Sequence, residues 1–303
     1  MKASIIPIYY SPEVQDALSS GKPILALEST VITHGLPYPD NLEALKVLED
    51  VARQEGIVPA TIAIVNGEFI VGLNNLDFLV DPHQRQHLRK ISLRELPIAV
   101  AQKWSGGTTV SATMWLAHQA GIRVFSTGGI GGVHRNWQES LDVSTDLTAL
   151  SEIPVAVVCA GCKAILDIPA TLEVLETKAV PVIGWETDDF PAFYSRTSGE
   201  KIYRTDSIAE LAEICSHTQS ILNKGVLIAN PIPLEAEIKR EDIEPIIQSA
   251  LSEAQRAGIK GKDTTPFLLS KLAELTKGDS ITANLALLKN NVLLGARIAR
   301  ELK

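Results

Sequence analysis

Short apolar runs that are each followed at once by a polar or glycine-rich segment constrain this chain more than any other feature. The segments that follow such runs are residues 28–34, 128–135, 161–163 and 230–231. Stretches with helical spacing of apolar residues, such as Asp40–Gln54 and Val110–Gln119, alternate with the runs. This alternation predicts a three-layer α/β/α fold. The polar segments are then expected to meet at one edge of the sheet, where ligands bind in such folds.

One hairpin signal predicts a mixed sheet instead of a purely parallel one. Residues 61–65 and 69–71 are apolar runs separated by Asn66-Gly67, a dipeptide typical of a tight hairpin turn. The chain shows no internal repeat, low-complexity tract or linker rich in Pro, Gly or Ser. Its 303 residues, of which 45% are hydrophobic, are enough to bury a large core. We therefore predict a single domain over residues 1–303.

The charge and the hydrophobic profile exclude several classes of partner. A net charge of −8 argues against nucleic acid, because phosphate backbones need a basic face. It leaves room for a small phosphorylated substrate, which needs only a few local donors. The apolar stretch near the N-terminus is short and is broken by Pro7, unlike a secretion signal. No stretch approaches the length of a membrane span, so we expect a cytoplasmic protein with no membrane partner.

The cysteines do not suggest a disulfide scaffold. There are three of them, Cys159, Cys162 and Cys215, which is a low and odd number. Cys159 and Cys162 have the C-x-x-C spacing of redox and metal sites. No second pair accompanies them, and the surrounding apolar run favours a packed strand end.

Lys163 stands directly after the apolar run 154–162, and residues 164–175 return to helical spacing. A lone lysine is therefore expected at a strand-to-helix junction, among residues that exclude water. Burial disfavours the ammonium form, and a neutral amine is a nucleophile that can form an imine. The alternative is a lysine that extends from an early helical turn into solvent.

Carboxylates mark two further candidate positions. Glu28 begins at the end of a buried strand, and a half-buried carboxyl group can serve as a general acid. Its alternative role is simple pairing with a cation. Asp142, Ser144, Thr145 and Asp146 supply carboxylate and hydroxyl oxygens, which hard divalent cations prefer. Their alternative role is to cap the helix that follows them.

Two glycine-rich segments, residues 106–107 and 128–132, are candidates for anion binding. Gly106-Gly107, followed by Thr108-Thr109, precedes a helix, so backbone N–H groups there are candidates to hold an anion. A glycine helix stop followed by a cap explains the same pattern. Neither segment matches the phosphate-loop or dinucleotide fingerprint, which disfavours an ATP or NAD site. His34 and His134 lie in glycine-flanked polar loops and are candidate donors to an anionic ligand. The alternative for each is a loop histidine whose hydrogen bonds are satisfied within the protein.

Seven segments together resemble the pseudouridine-5′-phosphate glycosidase family, which includes proteins named for indigoidine synthesis. In order along the chain, they are residues 27–35, 106–113, 126–135, 158–167, 230–233, 261–267 and 283–287. The resemblance runs from about residue 10 to the C-terminus. It implies reversible hydrolysis of the C–C glycosidic bond of pseudouridine 5′-phosphate, which yields uracil and ribose 5-phosphate. It also implies a divalent metal, usually Mn²⁺, and a homotrimer.

The same resemblance implies roles for individual residues. Lys163 matches the family's nucleophile, Glu28 its proton donor and Asp142 its metal ligand. The positions that match substrate contacts are Lys90, Val110, Ser144, Thr145 and Asp146. Asn284 matches a polar position near the substrate, and Asn291 is a weaker candidate. Lys90 and His134 are also expected to help hold the 5′-phosphate.

The implied mechanism fits the residue types. An amine at C1′ can open the ribose ring and give an imine, which accepts electrons as the C1′–C5 bond breaks. Glu28 would protonate uracil C5, and water would release the sugar from Lys163. This chemistry differs from that of glycosidases with paired carboxylates. The alternatives are a sugar or nucleoside kinase, a divergent C-glycosidase with another substrate, and a non-catalytic binding protein.

Overall fold

The computed structural model describes residues 7–73, 79, 81, 83, 86–259 and 264–302. Its strands are β1 Ile8–Tyr10, β2 Ile24–Leu27, β3 Val58–Val65, β4 Glu68–Val71, β5 Arg89–Ile91, β6 Gly106–Thr108, β7 Val124–Ser126, β8 Val133–His134, β9 Ala156–Cys159, β10 Leu166–Asp167, β11 Val182–Trp185, β12 Tyr203–Thr205 and β13 Val226–Ala229. Its helices are α1 Pro12–Ser20, α2 Asp40–Gln54, α3 Leu96–Ala101, α4 Val110–Gln119, α5 Trp137–Ser140, α6 Thr145–Glu152, α7 Ile168–Thr177, α8 Ile208–His217, α9 Arg240–Arg256, α10 Thr264–Leu275 and α11 Asp279–Glu301.

Eleven strands of the described residues form one mixed sheet, as the sequence predicts. Along its main path the order is β1-β4-β3-β2-β7-β9-β13-β11-β12. Each successive pair of strands from β3-β2 to β11-β12 on this path is parallel. Strand β4 runs antiparallel to β3. The turn between them is Asn66-Gly67, with φ angles of 51° and 78°. Two consecutive positive φ angles are typical of the predicted hairpin turn.

Helices cover both faces of the sheet and confirm the three-layer α/β/α prediction. Helix α11 packs on β2, β7 and β9 and against α2 and α8, whereas α4 packs on β2, β3 and β7 and against α6. Every residue of β2, β7, β9 and β13 is buried, as expected for strands covered on both faces. Gly295 brings α11 close to β2, since a Cβ there would lie 3.0 Å from Leu25 Cδ1.

Two strands, β2 and β6, pair with successive parts of β3. The change from β2 to β6 directs the chain out of the sheet at Glu28. Strand β2 pairs with the first half of β3, and β6 pairs with Ala63 and Ile64 beyond it. The Ser29 hydroxyl donates to Ile62 O (2.6 Å) and accepts from Thr108 N (3.0 Å) at the junction. Because β6 takes the place alongside β3, β2 cannot continue and the residues after Leu27 turn toward the sheet edge.

The alternative interpretation of residues 106–107 as a glycine helix stop is wrong. Helix α3 ends at Ala101, and both glycines lie in β6. A Cβ on Gly107 would lie 2.4 Å from Thr33 Oγ1 and 2.9 Å from the Ser29 carbonyl. Close backbone packing therefore explains this glycine, and its sequence pattern looks the same as a helix end.

The helix expected directly after Lys163 begins later than predicted. Leu166 and Asp167 first pair with β8 as the short strand β10. The Asp167 carboxylate then accepts from Ala170 N (3.1 Å) and caps α7. None of the described helices is both long and apolar enough to cross a membrane.

Candidate active site

The carboxyl ends of four neighbouring parallel strands bring the predicted segments together. Strands β2, β7, β9 and β13 are adjacent in the sheet. Glu28, Thr127, Ala160 and Asn230 follow directly after these strands. The predicted convergence of the polar strand ends is therefore confirmed.

Two loops bind each other and position Lys163. Ala160 N donates to Gly128 O (2.9 Å), Ile130 N donates to Gly161 O (3.1 Å), and Lys163 N donates to Ile130 O (3.1 Å). Gly161 has a φ of +85°, and a Cβ there would lie 2.2 Å from Pro191 O. A side chain at this position would thus push the segment before Lys163 away from its neighbours.

The Lys163 side chain is half-buried and lines a cavity at the strand ends. The other polar residues in the cavity wall include Glu28, Thr30, His34, Lys90 and Asn284, and the apolar ones include Val31, Phe193, Pro266 and Leu269. Within the described ranges, the Lys163 amine makes no hydrogen bond or ion pair. It does not extend from an early helical turn, because α7 begins only at Ile168. The alternative of a lysine on a helix that extends into solvent is therefore wrong.

Glu28 is a buried acid next to this amine. Its side chain is only 8% exposed and accepts a hydrogen bond from the Thr127 hydroxyl. Burial raises the pKa of the Glu28 carboxyl, and Asp146 adds to this effect. The charges of Lys163 and Lys90 and the Thr127 hydrogen bond act against burial without cancelling it. A carboxyl group with a raised pKa retains its proton to higher pH and suits a general acid.

Asp146 joins the glycine-rich loop after β7 to the start of α4. Its Oδ1 accepts from Ser111 N (3.0 Å), and its Oδ2 accepts from Gly131 N (2.8 Å). The carboxylate thereby caps a helix N-terminus that has no cap from its own Thr109. Asp146 is 5% exposed, and this structural task is one that the sequence did not predict. Its predicted contact with substrate stays a prediction.

Ser144, Thr145 and Val110 lie close to this carboxylate. The Ser144 hydroxyl accepts from Asp146 N (3.2 Å) and caps α6, as the alternative interpretation of the sequence expects. Thr145 is half-buried at the first position of α6. Val110 begins α4 and is 1% exposed, so its backbone and not its side chain is what it can offer.

Asp142 lies opposite His134, where the segments around Val133 and Val143 pair in an antiparallel bridge. His134 N donates to Asp142 O (3.0 Å), and His134 Nε2 lies 3.9 Å from Asp142 Oδ2. Burial lowers the pKa of His134; Asp142 raises it, while Lys163 and Lys90 lower it further. The net effect is a lowered pKa, which favours the neutral imidazole.

The donor set around Asp142 fits a largely hydrated cation. No group of three or more His, Cys, Asp or Glu side chains suited to a metal occurs among the described residues. Asp142 offers one carboxylate that is 34% exposed. Divalent cations such as Mg²⁺ keep several waters and are often bound through one or two carboxylates, so a single accessible carboxylate is compatible with such an ion.

The remaining predicted positions differ in their surroundings. Lys90 lies in β5 opposite Gly107 and lines the cavity. Asn284 reaches the cavity from α11, and its buried Oδ1 has no hydrogen-bond partner among the residues that the structure describes. Asn291 is completely buried; it accepts from Asn230 Nδ2 (3.0 Å) and donates to Thr127 O (2.8 Å). This residue holds the ends of β7 and β13 together.

The sequence reasoning missed three kinds of residue at the site. Thr127, which donates a hydrogen bond to Glu28, stands directly after β7, so the rule that led to Glu28 would also have found it. Phe193 lies in an irregular segment and has no recognisable signal. Pro266 and Leu269 come from α10, which is distant in sequence from the strand ends.

The two cysteines near Lys163 are packed into the core. Cys159 and Cys162 are free and fully buried. Burial raises the pKa of both thiols to about 12. A thiol that holds its proton so strongly is unsuited to redox exchange, so the packed strand end is confirmed.

Comparisons with known proteins show the family to which this chain belongs. Residues 13–301 match the family model described as indigoidine synthase A like protein. The chain is 51% identical to the pseudouridine-5′-phosphate glycosidase of Caldanaerobacter subterraneus, which covers 96% of this chain and 95% of that protein. It is also 51% identical to the protein of the same name from Geobacillus kaustophilus, with coverage of 97% and 98%.

Two solved structures share the fold over nearly their whole length. One is an indigoidine synthase A like protein from Thermotoga maritima, with a TM-score of 0.88, 38% identity and coverage of 98% and 97%. The other is a prealnumycin C-glycosynthase in complex with ribulose 5-phosphate, with a TM-score of 0.89, 33% identity and coverage of 97% and 96%.

The structural role of Asp146 is testable by a matched pair of substitutions. Asp146→Asn replaces one of two accepting oxygens with an amide that cannot accept from a backbone N–H. We expect the free energy of unfolding to fall by about 1–3 kcal/mol, the usual effect of leaving a buried donor unsatisfied. Asp142→Asn should change it by no more than about 0.5 kcal/mol, because Asp142 is partly exposed. Urea unfolding followed by circular dichroism in metal-free buffer measures both, and equal changes would contradict the structural role.

Proposed function

The chain belongs to the indigoidine synthase A like protein family, and we propose that it reversibly cleaves the C–C glycosidic bond of pseudouridine 5′-phosphate. The products would be uracil and ribose 5-phosphate. The observation that carries this proposal is the cavity that holds both the Lys163 amine and the buried acid Glu28. The names of the relatives point to the substrate. The related C-glycosynthase structure supports C-glycoside chemistry on this fold.

In the first step, the Lys163 amine attacks C1′ of the ribose. A bond forms between Nζ and C1′ as the C1′–O4′ bond breaks, and O4′ takes up a proton. This step opens the ring and leaves the sugar attached to the enzyme as an amine. It needs the neutral amine, and the absence of a hydrogen bond or ion pair to Lys163 from the described residues leaves that amine available for attack.

In the second step, Glu28 donates its proton to uracil C5. The electrons of the C1′–C5 bond stay with the base, and the nitrogen lone pair of Lys163 forms the C1′=N imine. Water then hydrolyses the imine to release ribose 5-phosphate and restore the amine. Direct displacement of uracil from C1′ would be difficult, because the leaving atom is a carbon and a poor leaving group. The Lys163 amine assists cleavage of the C1′–C5 bond, because its lone pair forms the imine as the bond breaks.

The charged residues around the cavity have matching tasks. Lys90 carries positive charge into the cavity wall, which suits the 5′-phosphate. Further donors would come from His134 and from backbone N–H groups near Val110 and residues 144–146. Asn284 would contact the substrate from α11.

Asp142 would hold a divalent cation such as Mn²⁺, mostly through water, and His134 lies next to it. Such an ion supplies positive charge that orients acidic groups and substrate. We also propose that the protein works as a homotrimer, as the family resemblance implies, and that it acts in the cytoplasm.

A divergent C-glycosidase that acts on another substrate is the second candidate. The likeness to the C-glycosynthase favours it, because that protein shares the fold at 33% identity under a different name. A kinase has no such support, and the sequence has no nucleotide fingerprint.

Lys163→Ala is expected to lower uracil release from pseudouridine 5′-phosphate by a factor of about 10³ or more, because the amine that forms the imine in the proposed mechanism is lost. The fold should persist, since the amine has no hydrogen bond to the described residues. Lys201→Ala, at an exposed lysine, is the control and should retain activity. Uracil is measured by chromatography and the fold by circular dichroism. Turnover like that of the wild type in the Lys163 variant would exclude the imine mechanism.

Glu28→Gln is expected to lower uracil release by about 10²–10⁴-fold, the range of general acid catalysis. Ribose 5-phosphate should still form an adduct with Lys163, because uracil and its protonation take no part in the formation of that adduct. Borohydride reduction followed by intact-protein mass spectrometry detects this adduct. Its loss in the variant, with an adduct in the wild type, would assign Glu28 to an earlier step.

Chelation tests the proposed metal. Removal of divalent cations with excess EDTA should abolish uracil release, and Mn²⁺ should restore it. Asp142→Asn should need a higher Mn²⁺ concentration for half-maximal activity, since one carboxylate ligand is lost. Full activity of the wild type in excess chelator would contradict both the need for a metal and the role assigned to Asp142.

A further inference from the structure

Two buried polar atoms in the cavity wall lack partners. Thr30 is 8% exposed, and Asn284 is 5% exposed. Thr30 Oγ1 and Asn284 Oδ1 have no hydrogen-bond partner among the described residues. Both residues line the cavity that contains Glu28 and Lys163. Leaving a buried polar group unsatisfied is costly, so two such groups around one cavity indicate that its occupant satisfies them.

The cavity wall contains both charged and neutral polar groups. Lys90 and Lys163 suit an anionic phosphate and the chemistry at C1′. Thr30 and Asn284 are neutral, and a neutral hydroxyl and amide suit an uncharged ligand that carries both donors and acceptors. Uracil is such a ligand, with two ring N–H groups and two carbonyl oxygens.

The position of Thr30 along the chain points to the base and not to the sugar. Glu28 must reach C5 of the base to protonate it. Thr30 follows two residues later and lines the same cavity. Val31 and Phe193 add apolar surface against which a planar ring can pack. Rotation about χ1 exchanges the hydroxyl and methyl positions of Thr30, so an occupant can turn the hydroxyl toward itself.

We propose that Thr30 determines specificity by hydrogen-bonding the uracil base, with Asn284 as a second polar contact to the base. This inference rests on the proposed function, because it needs uracil as product or substrate. Thr30 acts in base recognition, whereas Lys163 and Glu28 act on the bonds that change.

Thr33 offers a matched control in the same segment. Its hydroxyl lies 3.1 Å from Ser29 O, to which it donates, and 2.7 Å from His34 Nδ1. Thr33→Val therefore removes a hydroxyl that is already bonded within the protein and should lower thermal stability. Thr30→Val removes an unpartnered hydroxyl and should leave stability unchanged or slightly higher.

The test measures synthesis of pseudouridine 5′-phosphate from uracil and ribose 5-phosphate. Thr30→Val should raise the KM for uracil about tenfold, the effect of losing one hydrogen bond of ordinary strength. The KM for ribose 5-phosphate and the borohydride-trapped adduct should stay unchanged. Thr30→Ser, which keeps the hydroxyl, should restore most of the affinity for uracil. Thr33→Val should leave the KM for uracil unchanged.

The outcomes separate this inference from the proposed function. An unchanged KM for uracil in Thr30→Val, with a working wild type, overturns the role of Thr30 alone. Loss of the ribose 5-phosphate adduct in that variant places the hydroxyl at the sugar and also overturns it. A wild type that forms neither adduct nor product overturns the proposed function, and the role of Thr30 falls with it.

Discussion

The pairing between the loops after β7 and β9 is the interaction on which the site depends. Ile130 donates to Gly161 and accepts from Lys163 through backbone groups, so the lysine takes its position from the neighbouring loop. Backbone hydrogen bonds of this kind fix a position more closely than a side chain on a free loop would. Asp146 extends the arrangement by tying Gly131, in the same loop, to the start of α4. The site is thus held by the ends of the sheet and not by a mobile segment.

Much of this arrangement follows from local sequence rules. The apolar runs that became β2, β7, β9 and β13 are buried throughout, and their order along the sheet brings the polar segments to one edge. The hairpin at Asn66-Gly67 follows from the demand for positive φ angles. Asp40–Gln54 and Val110–Gln119 form helices with the predicted limits. In each case the short-range pattern and the long-range packing require the same structure, which is why the prediction succeeds.

The errors have a common physical cause, which is contact between segments far apart in the chain. Gly107 reads as a helix stop, but it is required because Ser29 and Thr33 pack against it. The backbone N–H groups that donate to both oxygens of Asp146 were likewise not predicted, because they come from Ser111 and Gly131 in other segments. Phe193 enters the cavity from an irregular segment without any periodic pattern. Composition and spacing carry no information about such partners, so only the three-dimensional structure reveals them.

The chemistry of the site depends on which partner holds a single proton. If Glu28 were a carboxylate and Lys163 an ammonium, the acid would have no proton to give and the amine no lone pair with which to attack. The reactive pair, a carboxylic acid and a neutral amine, differs from this ion pair only by transfer of one proton. Attraction to Lys163 favours the carboxylate form of Glu28, but burial outweighs it and raises the pKa of the acid. A substrate that fills the cavity excludes more water and disfavours the charged pair further. The buried position of Glu28 at the end of β2 therefore does more than place the acid, because it also favours the protonated carboxyl group that the proposed reaction requires of Glu28.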